Sequence, residues 1–446
     1  MKWRVVLILF VILALIFIAI YFVEKKEERK EKIEGRLFNV NPEDVYKLSL
    51  KRGMETIVFE KKNNEWRITS PIDSKADKYS IERIVDDFSS LKYERKVESE
   101  AKDLKRYGLD KSDRELKIWA KSSPNPVNIY FGVENPIDSN IYVRSEGNEV
   151  YLIASYLKSY IDKSLFDFRD KKIFYFEKEK IKEVNYQKDE IGWKAVKKDD
   201  IWHLQSPVEA LADKNKIDDI LYSISNSEAK EFLKETPDDE DFKKFNLDSP
   251  SILLNLKGEE ELNFKFSVRE DKDTKKVYGV SSLSPILASF SETLINDLDK
   301  NVESIREKRV AVFWSYDTKK LRIKKNGQEF YLEKNKEDKW EILKPEKRKA
   351  DSEKVDNFIR KLEDLEAKEF VDSYKNLDEF ELRVPKIQVE IYTEENKKEK
   401  KIVMLIGKEK NDKVYVKNYQ LNYLFLVDSG FLKDIPEDVK DWCRVT

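Results

Sequence analysis

Only one histidine, His203, and one cysteine, Cys443, occur among 446 residues, against 88 acidic side chains, so carboxylates are the chain's main resource for chemistry. A lone His supplies neither an H-E-x-x-H motif nor a His-rich zinc site. A lone Cys closes no disulfide within the chain and builds no thiolate metal cage. The sequence contains no G-x-S-x-G and no G-x-x-x-x-G-K-[ST], so neither a hydrolase nucleophile elbow nor a nucleotide-phosphate cradle is signalled. Two carboxylates about 5 to 9 Å apart across an aromatic-lined cleft could still act on a glycosidic bond. The acids that recur, Asp77, Asp213 and Asp351, each stand just before a helical pattern, where an aspartate accepts from a free first-turn N–H and is favoured by the helix dipole. They are read as caps. His203 lies between Trp202 and Leu204, where the other copies carry Arg67 and Glu341, and is read as a surface residue facing away from Trp202. The run Asp238, Asp239, Glu240, Asp241 lacks the D-x-[DN]-x-[DN]-G order of a calcium loop and sits at a helix start. No catalytic, cofactor-binding or metal-ligating residue is assigned, no cofactor is expected, and the chain is expected not to be an enzyme.

The strongest pattern positions a fold. Trp66 is followed by Pro71, Ala76 and Asp77, Trp202 by Pro207, Ala212 and Asp213, and Trp340 by Pro345, Ala350 and Asp351, at the same offsets. Alternating strands lead into each Trp (YKLSLKR and TIVFEKK, IKEVNYQ and WKAVKK, KLRIKK and EFYLEK), as in an antiparallel meander. The Trp and the aliphatic two residues on share one sheet face, and the Pro ends the strand. A core position for the three Trp residues outweighs a ligand-stacking row. After each Asp an i, i+3, i+4, i+7 stripe follows: Ile81, Ile84, Val85, Phe88, then Ile217, Ile220, Leu221, Ile224, then Val355, Phe358, Ile359, Leu362. A second motif recurs downstream as Tyr107-Gly108-Leu109, Phe245-Asn246-Leu247 and Phe380-Glu381-Leu382. It predicts a Schellman-type helix cap, with a left-handed residue that Gly or Asn supplies easily and Glu381 does not, so the third turn is expected to differ or be strained.

Composition bounds the partners. With 86 basic against 88 acidic residues the chain has no cationic excess to displace counterions from phosphate, so nucleic acid is not expected. Gly is scarce at 11 and Pro at 12, which argues against disordered linkers. Val5 to Val23 carries no charge, and a helix of that length reaches roughly 28 Å, enough to span a bilayer. The alternating charges after it suit a solvated stalk. Five basic residues between Lys25 and Lys32 outnumber Lys2 and Arg4, and charge counting alone would leave the bulk of the chain in the cytoplasm. The expected organisation is a membrane anchor over 1–24, a stalk over 25–35 and repeats over 36–168, 169–305 and 306–446. Each repeat is expected to be α+β, with about seven strands in antiparallel sheets and two or three packed helices, a closing helix coming last as ASYLKSYID, FSETLINDL or FLKDIPEDVKDW.

The amino-terminal span, the W-x-[IL]-x-x-P strand, the A-D helix start and Tyr107-Gly108-Leu109-Asp110 together resemble bacterial proteins catalogued as domain of unknown function 4340, in tandem copies. Phe245-Asn246-Leu247-Asp248 keeps the second motif, while Phe380-Glu381-Leu382-Arg383 departs from it. The resemblance implies a membrane-anchored envelope protein, its bulk extracytoplasmic, often encoded beside ABC-type export components of the gliding-motility kind. The leading expectation is an accessory or scaffold subunit with protein partners in the envelope. The alternatives are an envelope glycan-binding or carboxylate-dependent carbohydrate-active protein, and a rigid spacer.

Overall fold

The computed structural model describes residues 35–271, 274–395 and 398–443. The expected anchor over 1–24 and all but the last residue of the expected stalk lie outside the described residues, and among those described no helix is long and apolar enough to cross a membrane. Three sheets of nine strands each, every pairing antiparallel, dominate what is described. In the first, β1 (Val45–Arg52), β2 (Glu55–Lys62), β3 (Glu65–Ser70) and β4 (Ser74–Lys75) meander to one edge. The chain then crosses one face as helix α1 (Lys78–Ser89) and lays β5 (Arg95–Glu98) on the opposite edge. Strands β6 (Arg114–Ala120), β7 (Val127–Glu134), β8 (Ile141–Arg144) and β9 (Val150–Ile153) fill the gap, giving the order β4-β3-β2-β1-β6-β7-β8-β9-β5. The second and third sheets, over 183–290 and 318–428, repeat this order strand for strand.

The α+β expectation is therefore corrected: the protein is mostly β, with one three-turn helix per repeat, α1 and its counterparts α2 (Lys214–Ser225) and α3 (Ser352–Glu363). Two of the segments read as closing helices form no more than isolated helical turns. ASYLKSYID forms a 3₁₀ turn, Ser155–Leu157, and a one-turn helix, Lys158–Ile161, while FLKDIPEDVKDW, interrupted by Pro436, forms two 3₁₀ turns. FSETLINDL keeps a seven-residue helix, Glu292–Leu298. The shortest strands, such as Ala210–Leu211, have no room to show an alternation.

The elements form for the reasons their residues suggest. Asp77, Asp213 and Asp351 cap α1, α2 and α3, accepting from the backbone N–H groups of Ser80, Asn215 and Glu353. Each of the three predicted stripes is buried along its whole length. Covering four such side chains is worth roughly 6 to 12 kcal/mol gross at about 1.5 to 3 each, before ordering entropy. Trp66, Trp202 and Trp340 lie beneath the helices at 4%, 2% and 1% exposure. The bonds preceding Pro71, Pro207 and Pro345 are all cis.

On the other sheet face, the second motif folds the same way three times. Gly108, Asn246 and Glu381 have φ of 68°, 58° and 56°. Leu109, Leu247 and Leu382 each donate a backbone N–H to the carbonyl five residues earlier, at 2.9, 2.8 and 2.9 Å, as a Schellman turn requires. The third turn thus does not differ: Glu381 takes up the left-handed conformation. In the first and third repeats the turn carbonyl of Tyr107 or Phe380 presses on Gly132 or Gly407, where any Cβ would collide with it. In the second, Ser267 donates its hydroxyl to the Phe245 carbonyl instead.

Among the described residues two compact units result, 35–172 and 173–443. The first has its own core around Phe59, Trp66, Phe88 and Phe168. Within the second, the cores of both sheets merge into one cluster that includes Trp202 and Trp340.

Candidate functional site: the cleft between the second and third repeats

The single histidine lies at a position with a pattern of its own. In each repeat, the residue after the Trp is set against the residue immediately before the short edge strand that follows. In the first repeat these are Arg67 and Asp73, joined by hydrogen bonds of 3.1 Å from Nε and 2.7 Å from Nη2 to one carboxylate oxygen. In the third they are Glu341 and Lys347, with the signs reversed and 3.9 Å apart. Glu341 also accepts from Asn335 at 2.9 Å. In the second repeat the pair is His203 and Glu209, and no hydrogen bond joins them. Both line a cleft of about 300 Å³ instead.

One wall of this cleft is the hairpin of Ile201–Ser206 with Ala210–Leu211, in which His203 pairs with Leu211 and Leu204 with Ala210. The opposite wall is the 420–423 turn of the third repeat. That turn is pinned, since Gln420 donates from its backbone to the Asn418 side chain at 3.1 Å and from its amide to the Lys401 carbonyl at 2.9 Å. The Leu211 backbone N–H reaches the Tyr423 hydroxyl at 3.4 Å, which joins the two walls directly.

Behind Tyr423 the junction is held by charge. The chain entering the third repeat pairs with the hairpin, as Glu307 donates its N–H to the Leu211 carbonyl at 2.9 Å and Asp213 donates to the Ile305 carbonyl at 2.8 Å. Arg306, 4% exposed, grips both oxygens of Asp372 and lies over the rings of Phe370 and Tyr423, 3.7 and 4.4 Å from their centroids. Such sandwiching, with a bidentate carboxylate, suits a planar guanidinium. Glu307, also buried, is clamped by Arg309 through two side-chain bonds of 3.0 and 2.7 Å. The walls are thus fixed while four polar side chains of the cleft are not: Lys198, Gln205, Glu209 and Asn422 make no hydrogen bond or ion pair among the described residues. Burial and the charge of Lys198 hold the His203 imidazole below its ordinary range, and burial pushes the Tyr423 phenol up.

The residues singled out by sequence have structural places. Trp66, Trp202 and Trp340 form no surface row, and the Trp340 indole donates to Asp356 at 2.7 Å. Ala76 and Ala212 form isolated bridges with Arg169 and Arg306. Asp238 and Asp241 exchange bonds as a capping box, with Asp241 buried. Among the described residues no three His, Cys, Asp or Glu converge as a metal site. Sequence reasoning passed over Glu209, Gln205, Asn422, Arg306 and Asp372. One signal was available for the first: aligned on the Trp, the pairs Arg67/Asp73 and Glu341/Lys347 are opposite charges, and His203/Glu209 stands where an ion pair belongs.

The family model described as Domain of unknown function (DUF4340) matches residues 66–201, 202–382 and 340–445. No curated protein matches the chain. Among solved structures, a DNA polymerase sliding clamp from Pseudomonas aeruginosa, crystallised with ligand, aligns at 8% identity and a TM-score of 0.16, over 89% of this chain and 95% of that one.

Proposed function

The chain belongs to the family of domain of unknown function DUF4340, and from that membership we propose that it is a non-catalytic accessory or scaffold protein, anchored by Val5 to Val23 with its repeats outside the cytoplasm. Its partners in this reading are components of an ABC-type export or gliding-type envelope assembly. The uncharged length of Val5 to Val23 supports the anchor, and the resemblance supports the orientation and the partner class.

The observation that carries the binding role is an aromatic pair left in solvent. Trp314 and Tyr316 are 58% and 69% exposed, and their rings stack on each other 6.0 Å apart. Tyr and Trp anchor protein interfaces because they bury much area for few rotatable bonds. The Trp and Asp residues that recur three times, by contrast, are occupied with packing and capping.

The test is affinity purification of the full chain from gently solubilised native membranes, beside a Trp314→Ala/Tyr316→Ala variant and a chain lacking residues 1–32. Recovery of an ABC permease or ATPase, weakened in both altered chains, is expected. Equal recovery by all three would remove the aromatic pair and the anchor from the contact, and substrate turnover by the purified protein would overturn the non-catalytic reading.

A further inference from the structure

We infer that the cleft between the second and third repeats is a binding site for a neutral saccharide, one sugar ring of a glycan, held by His203, Gln205, Glu209 and Asn422. The inference stands apart from the export-assembly reading and needs none of its partners.

Three observations carry it. The first is the unmade ion pair. In the flanking repeats the equivalent side chains are oppositely charged pairs, Arg67 hydrogen-bonded to Asp73 and Glu341 3.9 Å from Lys347, and in the second repeat the same positions set His203 and Glu209 at a cleft without a bond between them. The second is charge. Lys198 and Glu209 cancel, and an imidazole held below its ordinary range is uncharged near neutral pH, so the cleft offers no net charge to an anion or a cation. It offers donors and acceptors of both kinds: two amides, a carboxylate that only accepts, and an imidazole that does either. Adjacent hydroxyls of a sugar, each donor and acceptor, match that set.

The third observation is the lining between the polar groups, where Leu211 and Leu421 supply apolar surface that the C–H face of a pyranose covers. The volume, about 300 Å³, stands at the small end of ligand pockets, suited to a sugar ring and too small for a dinucleotide. The walls are fixed by the Arg306–Asp372 grip and the Leu211 contact to Tyr423, so little ordering is needed on binding.

Because His203 is the only histidine, a ¹³C-histidine-labelled chain carrying a tag without histidine gives one imidazole signal, which sits in the cleft. The full chain, in a detergent without a sugar headgroup, is titrated separately with cellobiose, maltose, di-N-acetylchitobiose and, for comparison, inorganic phosphate. A saturable shift of the His203 signal by at least one disaccharide is expected, with a dissociation constant on the order of 1 mM or tighter. Glu209→Ala and Asn422→Ala are expected to weaken it roughly tenfold each, as loss of a hydrogen bond to a charged group or an amide does, while leaving the melting temperature and partner recovery unchanged. No saturable shift with any of the three sugars overturns the proposal. A shift by phosphate alone, or sugar binding that survives Glu209→Ala at full affinity, overturns it as well.

Discussion

A glutamate in the left-handed region is the least comfortable residue of the recurrent turn. Gly108 pays nothing for its conformation and Asn246 little, whereas the Cβ of Glu381 crowds its own backbone at φ 56°. Glu381→Gly is expected to stabilise the protein by about 1 kcal/mol, read from the midpoint of urea unfolding. The substitution also removes the exposed ion pair of Glu381 with Lys386, 3.2 Å apart, which is worth little. At His203 the sign runs with pH. Burial, then Lys198, lower its pKa, with Asp199 opposing, and Glu209 lines the same cleft. The folded state therefore holds this proton less tightly than the unfolded one. Its stability contribution is complete above the unfolded value of roughly 6.5 and is lost as pH falls below it toward the lower folded value. Between about pH 7 and pH 5 the melting temperature of the parent should fall more steeply than that of His203→Gln. Parallel curves would mean that the site does not titrate in that window.

At the scale of elements, three copies of one sheet show which parts of a repeat are interchangeable. The N-capped helix and its four-residue stripe recur without exception, because a sheet face must be covered and an i, i+3, i+4, i+7 row covers it. The turn on the other face is less uniform, with a 3₁₀ turn in the first and third repeats and the six-residue helix Asp239–Lys244 in the second. The strand beneath it changes in step, Gly132 and Gly407 lying under the 3₁₀ turns and Ser267 under the helix. Gly407→Ala should therefore cost roughly 1 to 3 kcal/mol by pushing the Phe380 carbonyl away, measured by chemical denaturation. Ser267→Ala, which removes a hydroxyl and adds no volume, should cost only about 1 kcal/mol.

For the molecule as a whole, the three repeats do not make three cores. The second and third share one hydrophobic cluster and are bolted by Arg306, Asp372 and Tyr423, while the first repeat's core is separate. Residues 173–446 are expected to unfold cooperatively. Trp202→Ala and Trp340→Ala, each losing roughly 3 to 5 kcal/mol of buried packing, should then lower the same calorimetric transition by similar amounts. Two transitions, each moved by only one of the variants, would show that the shared core does not couple the repeats.

Much of this was legible from spacing alone. Periodicity is a local property, so the Trp strands, the capping Asp residues, the helix stripes and the left-handed turns at Gly108 and Asn246, though not the one at Glu381, follow from residues within a few positions of one another. The balance of strand and helix was not, because a two-residue edge strand has no period and a segment such as ASYLKSYID, which reads as helical, forms a 3₁₀ turn and a single α-helical turn. The cleft lay furthest from view. Its walls come from the 198–211 and 420–423 segments, more than two hundred residues apart, and only the docking of one repeat on the next brings them together. Sequence by itself determined that one unit is built three times and which faces of it are buried. Tertiary structure decided that two of the units share a core, and that the histidine standing in place of an ion pair faces a cleft, since both depend on contacts between surfaces that no local pattern encodes.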